Sequence, residues 1–96
     1  MRVRYTATAR ADADEILARI ALDNPTAAAA VGAAIKSAMA RLQSFPRIGA
    51  ETDEPGIYMK IVRPYRYLIF YRIAGDTVVI RNVRHPARLR RPARRS

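Results

Sequence analysis

The chain of 96 residues contains no cysteine. That excludes disulfides and thiolate metal sites and agrees with a reducing compartment. Histidine is nearly absent too. His85 is the single one and has no second histidine or acid at ligand spacing, so the sequence offers no metal centre. No glycine-rich phosphate loop is present. Ser37, Ser44 and Ser96 sit in no nucleophile motif. No apolar run approaches the roughly 18 residues of a membrane-spanning helix. The opening "MRVRYTATARADAD" turns acidic where a signal peptide needs an apolar core. These absences lead to the expectation of a soluble, cytoplasmic protein with no metal, no cofactor and no membrane association.

Acids are missing from one part of the chain. Residues 1–56 hold seven basic and seven acidic residues, whereas residues 57–96 hold eleven basic residues against Asp76 alone. The whole net charge of +10 therefore lies in the last forty residues. Such a bias attracts polyanions, either a nucleic acid or an acidic protein. Half of the residues are hydrophobic, and a chain of this length buries about two-thirds of its unfolded surface, enough for one modest core. One domain over residues 1–86 is expected, followed by a basic tail over 87–96.

The pattern along the chain predicts an α+β fold in the order β-α-α-β-β-β. "RVRYT" (2–6) alternates as a strand. Thr8 is read as a helix N-cap, ahead of the amphipathic stripe Ala13, Ile16, Leu17 and Ile20. Asp12, Asp14 and Glu15 are read as helix-end charges that favour the macrodipole, not as a metal site. Asn24 and Pro25 suit the N-cap and first position of a second helix. Its seam runs through Ala28, Val31, Ile35, Ala38, Leu42 and Phe45, and the short link makes the pair an antiparallel hairpin. Residues 46–56 read as loop. Strands over 57–62, 66–73 and 77–85 follow, the last two joined by a tight turn at "AGD". The helical hairpin can cover one face of a small, mainly antiparallel sheet.

"PYRYLIFYRI" (64–73) raises a question about the other face. Tyr67, Ile69, Tyr71 and Ile73 line one side of this strand; Arg66, Leu68, Phe70 and Arg72 line the other. Both sides are largely apolar, and nothing else in the chain is large enough to cover the second, apart from the polar tail. An apolar, basic, uncovered face is a binding surface by default. Lys60, Arg63, Arg66, Arg72, Arg81, Arg84 and His85 all fall within this small sheet. Guanidinium groups hold phosphates and stabilise developing negative charge, and a histidine exchanges protons at neutral pH. The set suits metal-independent phosphodiester cleavage and plain phosphate binding equally. Arg81 and His85 share a strand face unless a bulge intervenes.

From residue 3 to about residue 88 the chain resembles the RelE/ParE superfamily of bacterial type II toxins. The resemblance rests on "ARADADEILARIALDNPTAAAAVGAAIKSAMARLQSFPRIG" and "VRPYRYLIFYRIAGDTVVIRNVRH", in particular "FPRIG" after a helical hairpin and a last strand ending "VRH". It implies a growth-inhibiting toxin that a cognate antitoxin wraps and neutralises, with operator DNA reached only through that antitoxin. Antitoxin contacts are expected at Tyr58, Leu68, Phe70 and Arg72. RelE-like members cut messenger RNA on the ribosome; that branch implies Arg66 and His85 as catalytic residues. Lys60, Arg63, Arg81, Arg84 and Arg88 are expected to bind target or phosphate. ParE-like members poison DNA gyrase and are not nucleases. No tyrosine follows Tyr71, whereas many RelE-like members carry one there; the long hairpin and the "H-x-x-R" ending from His85 to Arg88 fit the ParE-like branch. That branch is the favoured expectation. The ribonuclease, or a lapsed toxin that only binds its antitoxin, is the alternative.

Overall fold

The computed structural model describes residues 1–85. Strand β1 (Arg2–Tyr5) leads into helices α1 (Ala7–Asp23) and α2 (Pro25–Ser44). Strands β2 (Ala50–Glu51), β3 (Tyr58–Val62), β4 (Tyr67–Ala74) and β5 (Thr77–Arg84) follow. All five strands form one sheet in the order β1-β5-β4-β3-β2. β2 to β5 pair antiparallel with their sheet neighbours, and β1 joins the edge of β5 in parallel. The α+β arrangement is the expected one, with β2 as an addition inside the segment read as loop. Two residues carry no alternation, so only pairing with Tyr58 and Met59 reveals them.

Local chemistry sets the helix ends. Thr6, not Thr8, caps α1: its hydroxyl oxygen accepts the Ala9 N–H at 3.0 Å. Thr6 also donates its hydroxyl hydrogen to the Arg81 carbonyl at 2.8 Å, which ties the cap to β5. Thr8 has the same local chemistry and lacks that tether. The helix therefore starts earlier than expected, and Asp12, Asp14 and Glu15 lie beyond its first turn, which carries no acid. Their role is not helix-end electrostatics. Asp12 instead accepts the Val83 backbone N–H at 3.0 Å, taking the place of a strand neighbour where β1 has already ended. Asn24 caps α2 through Ala27 and Pro25 opens it, as expected.

α1 and α2 cover one face of the sheet. Val31, Ile35, Ala38, Met39 and Leu42 of α2 meet Val62, Tyr67, Ile69, Tyr71, Val78, Ile80 and Val83, with Ile16, Leu17 and Ile20 of α1 completing the layer. Phe45 departs from the expected seam. As the C-cap it leaves the helical path at φ −132°, and it is 59% exposed.

"FPRIG" has a definite structural job. The Tyr71 side chain is fully buried; its hydroxyl donates to the Pro46 carbonyl at 2.8 Å and accepts the Gly49 N–H at 3.0 Å. Arg47 donates to the Tyr58 hydroxyl at 2.8 Å, and the Tyr58 ring stacks on Tyr71 with centroids 5.4 Å apart. One tyrosine thereby fixes the exit of α2 and the start of β2 on the middle of the sheet. Burial pushes the Tyr71 hydroxyl above the ordinary tyrosine pKa; the Gly49 hydrogen bond opposes this and Tyr58 adds to it.

Candidate functional site

The face of the sheet away from the helices carries four rows: Arg2, Thr77 and Ala74 form the outermost, and three more follow. Residues paired across a sheet share a face. Arg4 of β1, Val79 of β5 and Arg72 of β4 form one row; Asn82, Phe70, Met59 and Ala50 form the second; Arg84, Leu68 and Ile61 form the third. Arg4, Arg72 and Arg84 are exposed, while Phe70, Met59 and Ile61 are half-buried. An apolar strip flanked by guanidinium groups results, as the sequence suggested.

This face is not wholly bare, contrary to expectation. Leu68, Val79 and Ile57 are buried although they lie outside the helix-covered core. The loop after β2 turns back: Thr52 closes it by accepting the Glu54 N–H and donating its one hydroxyl hydrogen to the Ile57 carbonyl at 2.9 Å, with the Glu54 carbonyl 3.2 Å away. Glu54 then reaches past β3 and β4 to Arg81, with Oε2 2.8 Å from Nη1. The two side chains are 58% and 41% exposed. An exposed pair of this kind contributes about 0.2–1 kcal/mol, so it opens readily.

The register of β5 decides what Arg81 and His85 can do together. Phe70 pairs with Asn82 but Tyr71 pairs with Ile80, so Arg81 is the extra residue of a β-bulge. The bulge that would separate Arg81 from His85 is present. Arg81 joins Asn82, donating from Nε to Oδ1 at 3.2 Å, and lines a cavity with Thr8 and Arg84. His85 lies elsewhere, edge-on to Tyr67 at 5.3 Å, in a cavity of about 490 Å³ between α1 and the sheet that Asp12, Glu15 and Ile16 also line.

The other expected residues divide as well. Leu68, Phe70 and Arg72 share the open face, but Tyr58 lies on the helix-covered face against Tyr71. The even spacing of Tyr58, Lys60 and Val62 puts Lys60 there too, half-buried opposite Ile69. Arg63 and Arg66 are exposed in the β3–β4 turn, outside both strands. Arg66 has a left-handed φ of 71°. Arg88 and the tail 87–96 lie outside the described residues. Arg2 and Arg4, both exposed and basic, were missed as members of the open face. Their alternation with Val3 and Tyr5 was visible, but only the β1–β5 pairing shows which face they join.

A family model described as "ParE toxin of type II toxin-antitoxin system, parDE" matches residues 3–90. The chain belongs to the ParE toxin family. Among solved structures, the chromosomal ParDE toxin–antitoxin system from P. aeruginosa is similar with a TM-score of 0.79 at 20% identity, over 88% of this chain and 95% of that one. The RelBE2 toxin–antitoxin complex from Mycobacterium tuberculosis is similar with a TM-score of 0.60 at 31% identity, over 90% and 91%. No curated relative matches. This ParE-family chain is thus a toxin component of a type II toxin–antitoxin system. No helix among its described residues is long and apolar enough to cross a membrane.

Proposed function

We propose that this toxin inhibits growth by poisoning DNA gyrase and that a cognate antitoxin neutralises it by covering the open basic face. The observation that carries the gyrase reading is the separation of the candidate nuclease groups. A metal-free ribonuclease needs one group to take the 2′-hydroxyl proton and another to protonate the leaving oxygen, each contributing about 10²–10⁴-fold. His85 is the one neutral-pH candidate of residues 57–96, since the arginines stay protonated and Asp76 sits in the β4–β5 turn. It faces the α1 cavity, whereas Arg81 and Arg84 line the other one.

The antitoxin reading rests on charge and shape. Arg4, Arg72 and Arg84 surround Phe70 and Met59 on a face without a helix. An acidic or amphipathic segment fits such a surface. The ribonuclease is the second reading; the likeness to the RelBE2 complex at 31% identity favours it. Purified toxin tested against gyrase supercoiling and against messenger RNA on ribosomes separates the two. Loss of supercoiling with intact messenger RNA is the expected result. Codon-linked cleavage with unaffected supercoiling would make the ribonuclease the leading reading.

A further inference from the structure

A cavity of about 460 Å³ opens where the N-terminus of α1 meets the bulge of β5, lined by Thr6, Thr8, Asp12, Arg81, Asn82 and Arg84, with Val83 completing the wall. Three features prepare it for an oxyanion. Arg81 and Arg84 supply guanidinium groups from one strand. The 17-residue helix α1 points its first turn at the cavity, and because Thr6 serves Ala9 and Arg10, the first-turn N–H groups left over are those of Ala7 and Thr8. The third feature is Asn82, whose side chain lines the cavity although the residue is only 9% exposed. The Arg81 Nε–H occupies Asn82 Oδ1, which orients the amide, and its Nδ2 hydrogens have no partner among the described residues. Buried donors are almost always satisfied, so one left unmet by the described residues marks a place for a further acceptor.

The chain itself indicates which oxyanion fits. Glu54 places a carboxylate oxygen on Arg81 Nη1 at 2.8 Å, from a loop that starts at the opposite edge of the sheet. Asp12 also lines the cavity, with Oδ2 held by the Val83 N–H. A neighbouring carboxylate disfavours a doubly charged phosphate more than a singly charged acid. We propose that the β5 bulge is a receptor for an acidic side chain of a protein partner, which displaces Glu54 from Arg81 and accepts from the Asn82 Nδ2 hydrogens. Glu54 is an internal substitute that the partner must exchange. This proposal rests on the reading that an acidic antitoxin segment covers the open face, and it assigns the bulge as one anchor of that segment.

The test uses acetate as the probe and inorganic phosphate as the comparison, at matched ionic strength. The Arg81 Nε–H and Asn82 Nδ2 signals are followed by nitrogen-15 NMR in the wild type and in Glu54→Gln. In Glu54→Gln, acetate shifts both signals saturably and binds about two- to fivefold tighter than in the wild type, the gain expected from removing an exposed competing pair. Adding Arg81→Gln abolishes the Asn82 response. Equal affinity in the two proteins, or Arg81 shifts no larger than those of Arg2 and Arg4, overturns the proposal. Saturation by phosphate without saturation by acetate overturns the protein carboxylate in favour of a phosphate ligand. No antitoxin takes part, so the result stands apart from whether one covers the face.

Discussion

Tyr71 and Gly49 leave each other no alternative. A Cβ on Gly49 would lie 2.6 Å from the Tyr71 hydroxyl and 2.8 Å from the Met59 carbonyl oxygen. The Gly49 N–H is held by that same hydroxyl at 3.0 Å. The glycine of "FPRIG" is required by close approach to a buried tyrosine 22 residues downstream. Gly49→Ala is expected to destabilise the fold by about 1–3 kcal/mol through overpacking. Tyr71→Phe is expected to cost a similar amount, about 1–3 kcal/mol, because it leaves the Gly49 N–H and Pro46 carbonyl unpaired. Urea denaturation measures both. The double variant should cost less than the sum, since the two share one contact.

Alkaline pH should expose the same latch. The Tyr71 pKa is raised in the folded protein, chiefly by burial. Above about pH 10 the unfolded chain has released that proton while the folded one still holds it, so stability falls as pH rises. Stability is complete below the unfolded value and is lost as pH climbs toward the folded one. Thermal melts from pH 8 to 11 should therefore show a steeper alkaline decline in the wild type than in Tyr71→Phe. Equal slopes would remove Tyr71 as the cause.

Asp12 should act as a strand neighbour to β5. Asp12→Ala removes the acceptor of the Val83 N–H and is expected to cost about 1–3 kcal/mol. Hydrogen exchange at the Val83 amide should accelerate more than at Ile80, which lies deep within the paired region. Asp12→Asn keeps a carbonyl acceptor and should retain most of the protection.

Arg66 tests side chain against backbone. A non-glycine residue in the left-handed region is strained by about 1–2 kcal/mol, and glycine relieves it. Arg66→Gly should therefore fold at least as stably as the wild type to within about 1 kcal/mol. Growth inhibition at matched expression should nonetheless drop, because the exposed guanidinium is lost. Undiminished inhibition would reduce Arg66 to a turn residue.

Reversing charge at Arg4 and Arg72, which flank Val79 in one row, should slow antitoxin association by about tenfold or more at low salt. The difference should shrink as salt rises, because exposed charges are screened. Stopped-flow association at two ionic strengths reads it. An unchanged rate would remove the open face as the site of encounter.

The sequence by itself determined the order of the elements apart from β2, both helices, the β4–β5 turn and the concentration of positive charge after residue 56. Those features rest on periodicity, caps and composition, which act over a few neighbouring residues. The two faces of "YLIFYRI" were equally legible, since alternation is fixed within one strand; Arg66, expected beside Leu68 and Phe70, stands outside β4 with a left-handed φ of 71°. Tertiary structure alone decided the rest. The choice between Thr6 and Thr8 turned on a hydrogen bond to Arg81, 75 residues away. The separation of Arg81 from His85 turned on one extra residue in β5, and a bulge exists only relative to the partner strand. The placement of Tyr58 beneath the hairpin, of Arg4 beside Arg72, and of Glu54 on Arg81 followed from register and from a loop folding back. Pairing between distant segments leaves no mark in local pattern, and in this toxin that pairing decides which charged groups meet.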